Sequence, residues 1–257
     1  MPDQIPEIER VMAVMAHPDD MEFTCGGSLA RMTAQGVEAT LVVCTRGNRG
    51  GEGDRTEAEL ERVRESEQRA ACEVLGVQNL EILGHDDGYL TPSLELRADI
   101  TRMIRKHRPN LVICPNPVRH FGFIYGNHPD HLAVGEAAMA AVYPTARNPM
   151  AVPELGREGL EKWVVDWVWV GGTMPEDVDH FVDVTAQMEA KLKALMAHQS
   201  QLGPQVQEWI KARSSQVAGE AREKGWEGMG EYAESFKQMY TGEIRRPQAA
   251  AATAEGA

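Results

Sequence analysis

The chain has 257 residues, 42% hydrophobic and 25% charged, close to globular averages, which excludes a wholly disordered or fibrous protein. Its 26 Lys and Arg against 39 Asp and Glu leave a net charge of −13, which opposes function along a phosphate backbone or on an anionic bilayer, so neither nucleic acid nor membrane is expected as a partner. There is no run of about 18 apolar residues to form a spanning helix, and Met1–Arg10 lacks the basic start and apolar core of a secretory signal.

Taken in chain order, Val11 to Ala16 is a short apolar run ending at His17-Pro-Asp-Asp20, a strand followed by a loop. Ser28 to Ala34 is helix-like and Gly36 stops it. Ala39 to Cys44 reads as a second buried strand, and Gly47 to Gly53 as a mobile Gly-rich rim, since it lacks the GxxxxGK[ST] phosphate loop. Arg46, Arg49 and Arg55 around that rim either meet an anionic or polyhydroxyl ligand or are simply solvated. Thr56 to Leu75 has helical spacing (Leu60, Val63, Ala70, Val74) and closes at Gly76. Leu80 to Leu83 is a third strand, Leu94 to His107 a helix with Leu94, Ile100 and Ile104 on one face, and Leu111 to Cys114 a fourth strand. A long proline-bearing loop then leads to an Ala-rich helix over Leu132 to Val142.

Strands alternating with helices predict an α/β fold: a three-layer α/β/α, Rossmann-like, mostly parallel sheet with a C-terminal β/helical extension. The division expected is a single domain over 1–257, with a core over 1–145, strands and helices over 146–245, and a flexible tail over 246–257. In the extension, Trp163 to Val170 and Phe181 to Val184 read as strands, Thr185 to His198 as a helix, and Gln205 to Tyr240 as mainly helical with a break near Gly225 to Gly230. Trp163, Trp167 and Trp169 fit one strand face and are expected in core or subunit contacts rather than as a sugar platform. Cys25, Cys44, Cys72 and Cys114 follow no zinc-knuckle or CxxC spacing and read as buried free thiols in a reducing, cytoplasmic setting.

Two clusters carry chemistry. His17-Pro-Asp19-Asp20-Met-Glu22 sets an imidazole and a carboxylate three residues apart in a turn, a donor pair that suits zinc, with Asp19 free to act on a water. The alternative is that Asp19 or Asp20 merely caps the next helix. Asn127-His128-Pro-Asp130-His131 repeats the pattern at the same edge of the sheet. Together they offer His17, Asp20 and one further histidine, a three-donor set of the catalytic kind. His198 reads as a satisfied structural histidine, and His85, beside Asp86 and Asp87, is the other histidine placed to line a pocket.

These residues, with Cys25-Gly-Gly27, Arg64-Glu-x-Glu67, Leu75-Gly76, Asp87-Gly88 and Ala197-His-Gln-Ser-Gln201, resemble the LmbE-like (PIG-L) zinc N-deacetylases over most of the chain. The resemblance implies Zn2+ held by His17, Asp20 and His131, with a preference over iron(II) or another divalent ion rather than a requirement. It implies Asp19 as general base, His128 as the residue that steadies the oxyanion or protonates the leaving amine, and Asp130 as the carboxylate orienting His128. It implies sugar contacts from Arg64 and Asp87. It also implies an oxyanion role for Tyr125, although the spacing to His128 is one residue longer than usual. Asn48 follows Gly47 where members often carry an acid. The function implied is hydrolysis of an N-acyl, usually acetyl, group from a small amino-sugar or glycoconjugate by a cytoplasmic homo-oligomer. The alternatives are an amidase acting on a thiol conjugate and a silent module that holds metal or sugar.

Overall fold

The computed structural model describes residues 7–51, 53–122, 124 and 127–242. Tyr125 and the tail expected over 246–257 lie outside the described residues. The first apolar run becomes β1 (Arg10–Met15), and its side chains alternate across the sheet. Val11, Ala13 and Met15 enter one core, while Met12 and Val14, followed by Ala16, enter the other. A strand buried on both faces needs apolar residues at every position, which is why it reads as an unbroken run.

After β1 come α1 (Asp20–Thr24), α2 (Gly26–Ala34), β2 (Glu38–Thr45), α3 (Glu57–Leu75), β3 (Asn79–His85), α4 (Leu94–His107), β4 (Leu111–Pro115) and α5 (Pro129–Ala140). The chain continues through α6 (Pro153–Arg157), β5 (Trp167–Gly171), β6 (His180–Asp183), α7 (Met188–Leu195), α8 (Val206–Glu223) and β7 (Ala233–Tyr240). The strands form one seven-stranded sheet in the order β3-β2-β1-β4-β5-β7-β6. The first five strands pair in parallel, and β7 lies antiparallel between β5 and β6. Leu29 and Met32 of α2, Leu75 of α3 and Leu195 of α7 cover one face; Ile100 and Ile104 of α4 and Val134 and Ala137 of α5 cover the other. The mostly parallel α/β/α sheet is therefore the architecture expected.

The departures have physical reasons. The end of the segment read as helical over Gln205 to Tyr240 is strand β7. Its Glu, Lys, Gln and Met residues favour a helix, but propensity is a weak prior, and the edges of β5 and β6 pair with it on both sides. The strand expected from Trp163 begins only at Trp167. Trp163 instead donates its Nε1–H to Pro109 O at 2.7 Å, with the Arg108 guanidinium 4.7 Å from its ring. Trp169 is fully buried between Phe236 and His180, so its role is in the core. Leu94 is exposed, and α4 buries Leu96 with Ile100 and Ile104 instead. The inward stripe of α3 is rotated from the expected one: it is Leu60, Arg64, Gln68, Ala71, Cys72 and Leu75, while Ala70 faces solvent. All four cysteines are buried and free.

One polar knot ties the extension to the first half of the chain. The Glu234 carboxylate on β7 accepts from the backbone N–H groups of Gly27 and Ser28, at the start of α2, and from Lys191 Nζ at 2.6 Å. The positive end of α2 and the ammonium together satisfy a carboxylate that is 3% exposed. Lys191→Met leaves that charge buried and unpaired. We expect a loss of about 3–5 kcal/mol in unfolding free energy by urea titration; a loss under about 1 kcal/mol means that Glu234 finds another partner or water.

Candidate metal centre

In an open parallel sheet, ligands bind beyond the carboxyl ends of the strands where the strand order reverses. Here that point lies between β1 and β4, which are neighbours although α1 to α4 and two strands separate them in sequence. His17 to Asp20 leave the end of β1, and α5 starts just beyond β4 with His128 as its N-cap and Pro129 in its first turn. Gly135 lets α5 close on that edge, because a Cβ there would sit 2.4 Å from Pro115 O. Both chemical clusters thus converge from opposite sides of the reversal.

Donor atoms of three residues meet. His17 Nδ1 lies 3.3 Å from His131 Nε2 and 3.5 Å from Asp20 Oδ2, and His131 Nε2 lies 3.1 Å from Asp20 Oδ1. A tetrahedral ion with bonds of about 2.0–2.1 Å sets neighbouring donors about 3.3–3.4 Å apart, a spacing close to those between these three side chains. Asp20 is braced for this role by the backbone N–H groups of His17 (2.8 Å) and Ala16 (3.2 Å), which donate to its Oδ2. It does not act as a helix cap. His128 completes a ring of imidazoles, its centroid 4.8 Å from that of His17 and 5.3 Å from that of His131.

The charge balance also calls for a cation. Burial acts to lower the His17 imidazole, but the Asp130, Asp20 and Asp87 carboxylates outweigh it and push it up to about 12. His131 is raised too, burial being outweighed by Asp20. Asp20 is held well below the usual carboxylate range, because both imidazoles outweigh its burial. A pocket this rich in carboxylates and imidazoles, with free donor atoms turned to a common point, fits a divalent ion.

The far nitrogen of His17 decides the role of Asp130. His17 Nε2 lies 3.1 Å from Asp130 Oδ2 and 3.2 Å from Asp87 Oδ1. The fully buried Asp130 carboxylate is itself fixed by the backbone N–H groups of Gly88 (2.7 Å) and Leu90 (3.1 Å). It therefore orients His17 and leaves Nδ1 as the donor, whereas the sequence expectation had it orient His128. The Asp130→Asn variant should bind metal about 10- to 100-fold more weakly by competition titration with a chelator; unchanged affinity would remove Asp130 from the support of His17. His128, at the exposed mouth, takes the backbone N–H of Asp130 on its Nδ1 at 3.3 Å, which leaves Nε2 to carry the proton of a neutral ring. Burial, with His17 and His131 nearby, lowers this imidazole, which favours the neutral ring.

Asp19 has a left-handed backbone (φ 95°) and turns its carboxylate to within 3.4 Å of Arg64 Nη2. Burial and the neighbouring Asp20 raise it to about 7, against the downward pull of Arg64. Arg64 itself is buried, donating to Pro18 O (2.7 Å) and Gly47 O (3.1 Å). It clamps the loop after β1 to the loop after β2 and leaves little of itself for a sugar. Asp87, also buried, sits 3.6 Å from Arg64 Nη1, and its backbone carbonyl accepts from Arg49 Nη1 at 3.5 Å. His85 pairs with Asp99 at 3.1 Å, away from the imidazole ring set.

Other partners were not visible in the sequence. The Asp19 backbone N–H donates to Gln68 Oε1 at 2.9 Å, and Gln68 Nε2 donates to Glu22 Oε1 at 2.7 Å. His198, wholly buried, faces the Glu22 carboxylate across 3.5 Å. Glu67 accepts from Ser200 through both N–H and Oγ at 2.7 Å. The Arg64–Glu67 and Ala197–Gln201 segments thus lie against each other behind the loop that follows β1. The one sequence signal for this was polar residues four apart, Arg64 and Gln68, on the inward face of α3.

Comparison with known proteins agrees with this geometry. The family described as PIG-L, GlcNAc-PI de-N-acetylase, matches residues 12–142, which contain both clusters. A diacetylchitobiose deacetylase of Thermococcus kodakarensis is 30% identical over 207 residues, covering 79% of this chain and 73% of the relative. A 1D-myo-inositol 2-acetamido-2-deoxy-alpha-D-glucopyranoside deacetylase of Rhodococcus erythropolis is 31% identical over 244 residues, covering 76% of this chain and 81% of the relative. Among solved structures, the N,N'-diacetylchitobiose deacetylase of Pyrococcus horikoshii in complex with an inhibitor superposes with a TM-score of 0.79 at 28% identity, covering 91% of this chain and 84% of that one.

Proposed function

The chain belongs to the PIG-L (GlcNAc-PI de-N-acetylase) family, and on that premise we propose that it is a metal-dependent N-deacetylase that removes the acetyl group from a 2-acetamido sugar or small glycoconjugate. The observation that carries the reading is the convergence of His17 Nδ1, Asp20 and His131 Nε2 beside a free carboxylate, Asp19. Zinc is the ion proposed, because two imidazoles and a carboxylate suit it. A divalent ion at this point supplies Lewis-acid polarisation of the amide carbonyl and a water that ionises near neutral pH.

The chain's own groups supply the rest. Asp19, raised by its surroundings, is matched to take a proton from the attacking water at neutral pH. The His128 Nε2–H stands at the mouth to donate to the carbonyl oxygen as negative charge collects there. Collapse expels an amine, which needs a proton; Asp19, now protonated, or His128 is within the same pocket to return one. Asp130 and Asp87 hold His17 in the tautomer that leaves Nδ1 free. A cleft of about 210 Å³ beside the centre is lined by Asn48, Arg49, Arg55, Glu57, Ser200 and Gln201, polar groups that favour a polyhydroxyl leaving group over an apolar one. Arg49 in this rim is already paired with Glu57 (3.0 Å) and stacked 4.4 Å over Tyr89. Direct sugar contacts from Arg64 and Asp87 are not part of the proposal, because both are buried under the catalytic loop.

We further propose one catalytic domain, a cytoplasmic location, which the free buried thiols support, and a homo-oligomeric state to be read by light scattering. No helix among the described residues is long and apolar enough to cross a membrane. The test of function is acetate release by metal-loaded protein from N-acetylglucosamine, N,N'-diacetylchitobiose and N-acetylglucosaminyl inositol, with thiol-conjugate amides as a separate arm. Release from the sugars that stops on chelation and returns with zinc is the expected result. Protein that holds metal but cleaves only the thiol conjugates, or nothing, overturns the reading.

A further inference from the structure

The residue before the metal ligand Asp20 is held in an uncommon conformation. Asp19 has φ 95°, a left-handed backbone that is strained for an L-residue and persists only where the surroundings enforce it. Asp19 is also the N-cap of α1, yet its side chain makes no capping bond. Its carboxylate makes no bond to the helix it precedes and instead meets Arg64 at 3.4 Å, close enough to His131 to act on its charge. Its own N–H would be buried without a partner if the loop stood alone.

That N–H is taken by Gln68 Oε1 from α3, at 2.9 Å. The other end of the same amide donates to Glu22 Oε1 at 2.7 Å, and Gln68 is wholly buried. The two contacts fix which way the amide points: the oxygen must face the backbone donor, and the NH2 must face the carboxylate. Glu22 is in turn backed by His198, from the segment after α7. A chain of side chains from α1, α3 and the C-terminal half thus ends on the one backbone N–H whose orientation aims Asp19.

We propose that Gln68 is a positioning residue for Asp19: its side-chain oxygen holds the left-handed backbone that points the Asp19 carboxylate at the reacting water instead of at the helix terminus. This rests on the reading of Asp19 as the general base. Gln68 touches neither the donor triangle nor the substrate cleft, and it moves no proton. The alternative is a merely structural Gln68 that stabilises packing between α1 and α3 with no bearing on Asp19.

The test has two independent arms. In metal-free protein, needing no substrate, Gln68→Met keeps the side-chain volume and removes the acceptor. The Asp19 amide should then exchange with solvent deuterium at least about tenfold faster by NMR, since it loses its one buried partner. Unchanged exchange overturns the proposal whatever the enzyme does. In metal-loaded protein, Gln68→Met should lower kcat about 10- to 100-fold, the scale of an ångström-level misplacement of a reacting group, with KM and zinc content unchanged. In an Asp19→Ala background the same substitution should cost less than about twofold, because there is no carboxylate left to aim. Losses that simply multiply in the double variant mean that Gln68 acts elsewhere and overturn the proposal. If Gln68→Met does not fold, Gln68→Ala, which also lacks the acceptor and adds no bulk, enters the same two arms. A protein with no deacetylase activity at all sinks the functional reading but leaves the exchange arm to decide the contact.

Discussion

Asp19→Ala protein retains its metal and loses at least about 10²–10⁴ of its kcat, the usual contribution of a positioned general base. Metal retention is expected because His17, Asp20 and His131 are untouched, and because Asp20 is held by the backbone N–H groups of Ala16 and His17 rather than by Asp19. Loss of turnover is expected because Asp19 is the carboxylate beside the donor triangle whose surroundings bring it to about 7. Asp20, by contrast, is kept ionised by two imidazoles and is a poor proton acceptor. The sign of the pH effect follows. Asp19 must be deprotonated to accept a proton, so the rate falls as pH drops through its pKa in the loaded enzyme, and a bound cation places that fall below 7. The acid limb should vanish in Asp19→Ala along with most of the rate. Metal content by atomic absorption and a pH–rate profile check both halves, and a variant within about tenfold of wild type removes Asp19 from the role of base.

His131→Ala protein fails one step earlier. The substitution takes away the one donor that α5 contributes to the triangle, leaving His17 and Asp20 from a single loop. Two donors from one turn bind a divalent ion far more weakly than three held at tetrahedral spacing. We expect metal to be lost on gel filtration and activity to fall below detection at micromolar metal. Partial recovery at millimolar zinc is the signature that separates this from a catalytic defect. Folding should survive, because His131 is half-exposed and the buried support of the site runs through Asp130. If His131→Ala keeps stoichiometric metal, His128 is the third ligand, since its ring also stands beside His17.

The parts of this protein that were legible in its sequence are those governed by neighbours along the chain. The strands buried on both faces announced themselves as apolar runs at Val11 and Ala39, and the helix over Thr56 to Leu75 by its helical spacing and its Gly76 stop. Each His-Pro-Asp cluster carries its chemistry within five residues, so its donors could be named without coordinates. What failed was whatever depends on a partner far away in sequence. Strand β7 has helix-forming composition and becomes a strand because β5 and β6 offer two unpaired edges. The inward face of α3 was misplaced by one position, because Arg64 and Gln68 look like surface residues until the loop after β1 is laid over them.

By itself, then, the sequence determined the residue types, the alternating α/β pattern and two donor clusters at one edge of a parallel sheet. Only the tertiary structure decided which nitrogen of His17 faces His131, that Asp130 supports His17 across 113 positions of chain, and that Gln68 and Arg64 brace the loop bearing Asp19. The reason is that local spacing restricts only dihedral angles and faces. A hydrogen bond or a ligand triangle depends on distances of about 3 Å between atoms, and those are set only once the sheet has brought the ends of β1 and β4 side by side.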